Sequence, residues 1–384
     1  MSVGWDAHPD VAAWTGLAPL DGDRTADACV IGLGGSGLAA IEALLARGLS
    51  VVGLDTGRVA AGAAGRNGGF LLGGPALFLH DAIARWRADA AVELYRQTLA
   101  ELDRLETELG PDVVRRVGSI RLAGLPGEPV TDDEAADRER ERADCAAHAS
   151  ALREHGIAVQ DYAGPLGHGI FLPDDAAMNP ARRALSLATR LRARADLHEH
   201  TAVRSVASGR AVTEHGTVSA AVIIVAVDGR LDALLPALAG RVRTARLQML
   251  ATGPVPARLP CPVYGRWGYD YAQQLPDGTL AVGGGRDRYV EREWTDEVEP
   301  SRPVQRHIER VAARMAGVPV TVRHRWGASV GFTADGRPLC TEVEPGVVAL
   351  GGYNGTGNLV GPVAARAAVA LALDGVTPPT CFAP

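Results

Sequence analysis

Ala28-Cys29-Val30-Ile31-Gly32-Leu33-Gly34-Gly35-Ser36-Gly37-Leu38 is the stretch on which the fold turns. Ala28 to Ile31 reads as a short buried strand, and a helix is expected from about Ser36 to Arg47. Between them Gly32, Gly34 and Gly37 complete a G-x-G-x-x-G pattern, with Gly35 and Ser36 inside it. Glycines allow a tight turn and close backbone approach, and the helix start then presents N–H groups to a pyrophosphate. A second strand, Ser50 to Leu54, runs into Asp55-Thr56, where a carboxylate can accept from ribose hydroxyls. Strand, turn, helix, strand and terminal acid in this order predict a βαβ unit that binds a dinucleotide. The acid disfavours a 2′-phosphate but does not separate NAD from FAD.

Downstream, apolar residues from Asp81 to Leu109 recur mostly at three- and four-residue steps, which predicts an amphipathic helix or two in succession. The charge run from Thr131 to His155 reads as a solvated helical face. A Gly/Pro-rich passage, Gly164 to Pro173, precedes a helix opened by Asn179-Pro180. Alternation at Ala202, Arg204 and Val206, then the run Ala221 to Val227, predicts strands rejoining the first sheet. From Arg243 to Asp287 the pattern turns β-like, and a helix near Pro303 to Met315, a strand at Val347 to Leu350 and a helix at Gly357 to Leu373 follow. Sheet segments on both sides of a β-rich middle imply one domain interrupted by another.

Composition narrows the function. The 384 residues are 47% hydrophobic and 22% charged, which suits a globular chain, and no apolar run approaches the roughly 18 residues of a membrane span. A net charge of −6 offers no basic field for nucleic acid or an anionic bilayer. The start of the chain lacks the pattern of a secretory signal, so a cytoplasmic protein is expected. All 39 basic residues are arginine, so no lysine is present to form a Schiff base, and PLP-type or aldolase-type chemistry is excluded. Five scattered cysteines without a C-x-x-C pair argue against a zinc site or a disulfide framework, and no metal is expected.

Two further glycine-rich stretches bear on the cofactor. Arg66-Asn67-Gly68-Gly69 lies in a loop soon after the second strand, where backbone donors can reach an extended ligand. Gly351-Gly352-Tyr353-Asn354-Gly355-Thr356-Gly357-Asn358 leads directly into the last helix, whose start would direct N–H donors toward an anionic group. A nicotinamide-dependent dehydrogenase would share the first βαβ unit but leaves both stretches unexplained.

Taken in order with Asn179-Pro180-Ala181, Arg246 to Thr252, and Trp326 with Phe332 to Pro338, these motifs resemble the D-amino-acid oxidase-type superfamily of flavoproteins. Within it, the chain is similar to the branch of γ-glutamylputrescine oxidase and related amine oxidases, where an R-N-G-G loop also occurs. The resemblance implies an α/β fold with an α+β insert, in which a Rossmann-like FAD domain of the glutathione-reductase type is interrupted by a substrate domain whose antiparallel sheet roofs the flavin. The expected division is 24–80, 151–238 and 322–380 for the FAD-binding domain, and 81–150 and 239–321 for the substrate domain. By the same resemblance, Gly32, Gly34, Gly35, Ser36, Gly37, Asp55 and Thr56 hold the ADP half of FAD, and Val203 meets the adenine. Arg66, Asn67, Gly68 and Gly69 lie along the pyrophosphate and flavin, and Gly352, Asn354, Gly355, Thr356, Gly357 and Asn358 at the pyrimidine edge. Val227 and Gly229 belong to Ala226-Val227-Asp228-Gly229, which stands where the family often has A-T-G-A.

The implied activity is oxidation of a C–N bond by hydride transfer to FAD, giving an imine that hydrolyses to an aldehyde or ketone, with O2 or another electron acceptor completing the cycle. Relatives that oxidise α-amino acids place an arginine just after the Trp326 position to pair with the substrate carboxylate. Ser329-Val330-Gly331-Phe332 has none, so an amine without an α-carboxylate is the expected small-molecule partner, although Arg266 or Arg286 could supply a cation from elsewhere. No cysteine stands in that stretch to attach flavin, so FAD is expected to be non-covalent. Tyr269, Tyr271 and Gln273, at alternate positions of one strand, are the candidate pocket residues, with Trp326, Tyr264 and Trp267 beside them. An α-amino acid oxidase of the D-amino-acid or glycine type and a flavin-binding protein without catalysis remain alternative readings.

Overall fold

The computed structural model describes residues 3–383, which divide into two compact units. One contains His8–Gly65, Pro180–Ala245 and 329–383; the other contains 3–7, Arg66–Asn179 and Arg246–Ala328.

The first unit is built on a largely parallel sheet. Its central strand, Arg24–Ile31, pairs in parallel with Val51–Leu54 on one side and Thr217–Val225 on the other. Asp196–His198 continues the sheet beyond Val51–Leu54, and Val347–Gly351 pairs in parallel with Thr217–Val225. Three antiparallel strands, Val203–Ala207, Arg210–Thr213 and Leu339–Glu344, bring the total to eight. The central strand starts at Arg24 rather than Ala28. Its first four residues alternate between half-covered and exposed, so no apolar run announces them, yet Arg24 and Thr25 pair with Val218 and Ser219. Its last four residues are fully buried, as are Val222 to Val225, and such continuous apolar runs mark strands covered on both faces. Helix Gly35–Ala46 leaves the central strand and packs against the final helix, Gly357–Asp374.

The second unit is built on an eight-stranded, mostly antiparallel sheet in the order Val322–Phe332, Arg243–Pro254, Thr279–Gly283, Asp270–Gln274, Val263–Gly265, Ser119–Leu122, Gly167–Leu172, Gln160–Gly164. Side chains alternate across it. Ile120, Leu122, Val263, Ala272, Leu280, Val282 and Leu250 pack with Val304, Ile308, Val311 and Met315 of helix Arg302–Ala316. The opposite face therefore carries the intervening residues, and the ladders set Arg121 beside Tyr264, Tyr264 beside Tyr271, and Tyr271 beside Gly283.

Several expectations are refined by the folded chain. The region 81–109 forms two helices, Leu79–Trp86 and Ala88–Leu109, broken where Arg87 takes φ +86. The charged segment is one helix, Asp132–Glu154, capped by the Thr131 side chain; Glu141, Cys145, His148, Ala149 and Leu152 form its buried stripe. Gly164 to Pro173 contains most of a β-hairpin, because Gln160–Gly164 and Gly167–Leu172 pair across a two-residue turn. Consequently residues 151–179, grouped by sequence with the dinucleotide domain, lie in the antiparallel-sheet unit. Among the described residues, no helix is long and apolar enough to cross a membrane.

Candidate flavin and substrate site

In the parallel-sheet unit the glycine turn is shaped by contacts that exclude side chains. Gly32 has φ +99, and a Cβ there would stand 2.6 Å from the Ala226 carbonyl oxygen, beside Val227. A Cβ on Gly37 would stand 1.7 Å from the Gly32 carbonyl oxygen. The helix that follows starts on Gly34 with no side-chain cap, so its first N–H groups are directed outward without a capping acceptor. Asp55 accepts from the Leu33 N–H at 2.7 Å through Oδ2 and from the Gly57 N–H at 2.9 Å through Oδ1. Burial raises its carboxyl above the usual range. Thr56 is exposed beside it, and Val203 is partly covered at the start of its strand. Sequence reasoning missed Arg183. This buried residue of helix Pro180–Leu191 places Nη1 3.0 Å from where a Gly35 Cβ would be, adding a cation at the helix start.

The C-terminal glycine cluster folds in the same unit. Gly352, Asn354 and Gly355 have φ of +65, +55 and +92, a sequence of left-handed residues that only glycine and asparagine readily accept. Asn354 Oδ1 accepts from the Thr333 N–H at 3.0 Å, and its Nδ2 donates to the Gly336 and Gly352 carbonyls at 3.0 and 2.7 Å. The last helix then begins at Gly357 with Thr356 as N-cap and no side-chain cap. Asn358 lies in its first turn. Ser36 and Gly361 meet, a Cβ on the latter standing 3.3 Å from the Ser36 Cβ, so two uncapped helix starts lie within about a turn of each other.

Asp228 ties this region together. Its Oδ2 accepts from the Gly331 N–H at 2.9 Å and its Oδ1 from the Tyr353 N–H at 3.2 Å. Gly229 is pressed against Thr244 and Gly331. The 329–332 stretch, which contains no arginine, thus meets a carboxylate. Burial pushes that carboxyl up to about 6 against the pull of the backbone donors.

In the antiparallel-sheet unit the Arg66–Gly69 loop is clamped by its carbonyls. Trp326 Nε1 donates to the Arg66 oxygen at 2.8 Å, Trp5 Nε1 to the Asn67 oxygen at 2.9 Å, Gln273 Nε2 to the Gly68 oxygen at 2.5 Å and the Met178 N–H to the Gly69 oxygen at 2.8 Å. The loop is also tied within itself, the Gly69 N–H donating to Asn67 Oδ1 at 2.8 Å. The Arg66 guanidinium is held below its usual range by burial.

Of the candidate pocket residues, the structure brings together Tyr271, Gln273 and Tyr264. A Cβ on Gly68 would stand 3.0 Å from the Tyr271 ring, Phe70 packs edge-on to Tyr264 at 4.9 Å and to Tyr271 at 5.8 Å, and Tyr264 lies 6.0 Å from Tyr271. Tyr269 is different: the strand starts at Asp270, and Tyr269 is 43% exposed outside it. Trp326 is fully buried, and Gln273 is spent on Gly68, Met178 and Arg115, so both position the loop rather than face a reacting molecule. Trp267 donates to Glu141 and Asp144, and Arg266 is paired with Asp270 and Asp287, which removes both from the candidates. Gln273→Leu is expected to lower stability by about 2–4 kcal/mol, because two buried carbonyls lose their donor. Denaturant unfolding of the holoenzyme measures this; an unchanged midpoint would remove the clamp from Gln273.

The comparison that decides identity is with a family model described as DAO, FAD dependent oxidoreductase, which matches residues 27–371. The chain belongs to that family. This DAO-family flavoprotein is 28% identical over 375 residues to the "Probable oxidoreductase OrdL" of Rhizobium meliloti (strain 1021), covering 92% of this chain and 84% of that protein. Its fold is shared with glycine oxidase from Geobacillus kaustophilus, at TM-score 0.71 and 20% identity over 91% of this chain and 95% of that one. It is shared also with L-proline dehydrogenase from P. horikoshii, at TM-score 0.71 and 14% identity over 94% and 96%. A form of the L-amino acid deaminase of Proteus vulgaris lacking its specific insertion matches at TM-score 0.70 and 18% identity over 97% and 95%. The family match settles the cofactor as FAD and sets aside the nicotinamide alternative.

The residues present fit FAD on their own chemistry. The glycine cradle admits no Cβ at Gly32 or Gly37, two helix starts offer N–H donors, and Arg183 adds positive charge beside one of them. All five cysteines are buried thiols outside any disulfide, and burial pushes those of Cys29, Cys145, Cys261 and Cys340 up to about 12.

Proposed function

We propose that this DAO-family enzyme oxidises a C–N bond of a small amine, with O2 as the terminal acceptor and the imine product hydrolysing in water. When bound, FAD supplies the two-electron acceptor. Glycine 32, 34, 35 and 37, Ser36, Asp55, Thr56 and Val203 are assigned to its ADP half, Arg66 to Gly69 to the pyrophosphate and flavin, and Val227, Gly229, Gly352 and Asn354 to Asn358 to the pyrimidine region. FAD is held without a covalent bond, since the cysteines are buried thiols and Cys340 Sγ faces the Ala364 carbonyl.

The observation that carries the reading is the row Tyr271, Tyr264, with Phe70 against it, on the sheet face that also meets Gly68. Such a wall excludes water and orients a substrate against its rings. Burial raises the phenols of Tyr264 and Tyr271 well above their usual range, so both stay neutral and act by shape and hydrogen bonding. A neutral bound amine needs no strong protein base, which agrees with a wall built of aromatic residues. Glycine oxidase, L-amino acid deaminase and L-proline dehydrogenase are all named for substrates with a C–N bond, which supports the reaction class.

The test is the visible spectrum of the purified holoenzyme before and after anaerobic addition of amines. Bleaching by an amine, with oxygen consumption on re-aeration, is the expected result. A flavin that stays oxidised with every amine and amino acid tried sinks the oxidase reading and favours a flavin-binding protein without catalysis. Bleaching without oxygen uptake, reversed by an artificial dye, overturns only the choice of acceptor.

A further inference from the structure

We propose that Arg121 recognises a carboxylate borne by the substrate amine at a distance from the carbon that is oxidised. The inference rests on the amine-oxidising reading above and names the substrate class of that site.

Arg121 stands in the strand Ser119–Leu122, whose Ile120 and Leu122 point into the apolar core beneath helix Arg302–Ala316. Alternation places Arg121 on the other face, in one cross-strand row with Tyr264 and Tyr271. Its guanidinium carbon lies 4.6 Å from the Phe78 ring centroid and 5.6 Å from that of Tyr264. These rings hold the head group in place, and no hydrogen bond joins it to either of them. The buried Nε has no hydrogen-bond partner, and among the described residues no carboxylate lies within ion-pair distance.

Two acids stand in electrostatic range, and both are otherwise engaged. Glu141 accepts from the Gly124 and Trp267 N–H groups, and Asp175 from the Gly73 N–H at 2.8 Å and Ser119 Oγ at 2.6 Å. Burial pushes their carboxyls up to about 7 and about 6, and their oxygens are occupied by those donors rather than by Arg121. His148, also nearby, is kept neutral by burial. A guanidinium whose Nε is buried without an acceptor, and whose other donors meet no protein oxygen, is held at a cost to the chain. It is the arrangement expected of a carboxylate receptor.

Position decides where that carboxylate sits. Gly68 of the flavin-binding loop touches Tyr271, and Arg121 is two strands farther along the row, roughly 10 Å at the usual strand spacing. A substrate whose amine lies over Tyr271 reaches Arg121 only through a spacer of several methylene groups. An α-carboxylate is too close, which agrees with the missing arginine after Trp326.

The experiment compares glycine, 4-aminobutyrate, 5-aminopentanoate and 6-aminohexanoate with butylamine and pentylamine on wild type, Arg121→Gln and Arg121→Lys, each checked for flavin content and Tm. Wild type is expected to favour the longer amino acids over both glycine and the plain amines. Arg121→Gln should lower their kcat/KM by about 10- to 100-fold and leave pentylamine within threefold, with partial rescue in Arg121→Lys. An equal loss on acids and plain amines, or a wild-type preference for glycine, overturns the proposal. A second measurement needs no turnover: hexanoate, which has no amine, is titrated against the flavin spectrum. A saturable perturbation that weakens 10- to 100-fold in Arg121→Gln supports the carboxylate site even if no amine is oxidised, whereas identical titrations in both proteins refute it.

Discussion

Gly37→Ala is expected to give protein that retains no FAD. A Cβ at this position stands 1.7 Å from the Gly32 carbonyl oxygen, a backbone atom that has nowhere to go. Gly32 donates its N–H to the Leu54 carbonyl at 2.8 Å, and it is itself packed against the Ala226 carbonyl from the other side. Relief therefore requires the first helix to lift from the strand that precedes it, which exceeds the about 1–3 kcal/mol of ordinary overpacking. The same movement would carry the helix start away from the turn where N–H donors meet the pyrophosphate. Gly62→Ala is the matched control: nothing lies within 4 Å of its Cβ position, so stability should change by no more than about 0.5 kcal/mol. The ratio of flavin to protein absorbance after gel filtration reads both variants. Full flavin occupancy in Gly37→Ala would show that this turn is not the dinucleotide cradle.

Asp228→Ala should be nearly as damaging, by a different route. It strips an acceptor from the N–H groups of Gly331 and Tyr353, and it leaves alanine at φ +57, a backbone region that disfavours it. Together these cost about 3–5 kcal/mol, and the glycine turn leading into the last helix loses its anchor. Asp228→Gly removes the strain but not the lost acceptor, and should recover only part of the loss. The wild-type carboxyl also gives a pH signature. Its folded value of about 6 lies above the ordinary 3.8, so the folded form binds the proton more tightly. The associated stability is fully present below pH 3.8 and is lost as pH rises through 6, to an extent of up to about 3 kcal/mol. Asp228→Asn should flatten that segment of the stability profile. Denaturant unfolding of each variant from pH 4 to 7 checks it; an equal slope in wild type and Asp228→Asn would assign the dependence to other groups.

The reach of the linear sequence followed from periodicity. Gly32, Gly34, Gly37 and Asp55 were legible because a βαβ turn is a local object, made by residues close along the chain and constrained by sterics that only glycine satisfies. The final helix and its glycine start were legible for the same reason. The strand at Arg24 began earlier than its apolar run because backbone pairing with Thr217–Val225, not hydrophobicity, defines that end. Alternation in the sequence pairs Tyr269 with Tyr271, but the strand begins only at Asp270, and no local signal marks that boundary.

What the sequence by itself determined was the dinucleotide turn, the interrupted order of sheets and the family. Each depends on short patterns whose physics is complete within a few residues. Only the tertiary structure decided that Trp326 and Gln273 are clamps on the Arg66–Gly69 carbonyls, that Arg183 and Asp228 serve the glycine turns, and that Arg121 shares a row with Tyr264 and Tyr271. Those partners lie far apart in the chain, and nothing in local spacing records which strands become neighbours. Register across a sheet is set by the packing of the whole, so the chemistry written across strands appears only when the chain is folded.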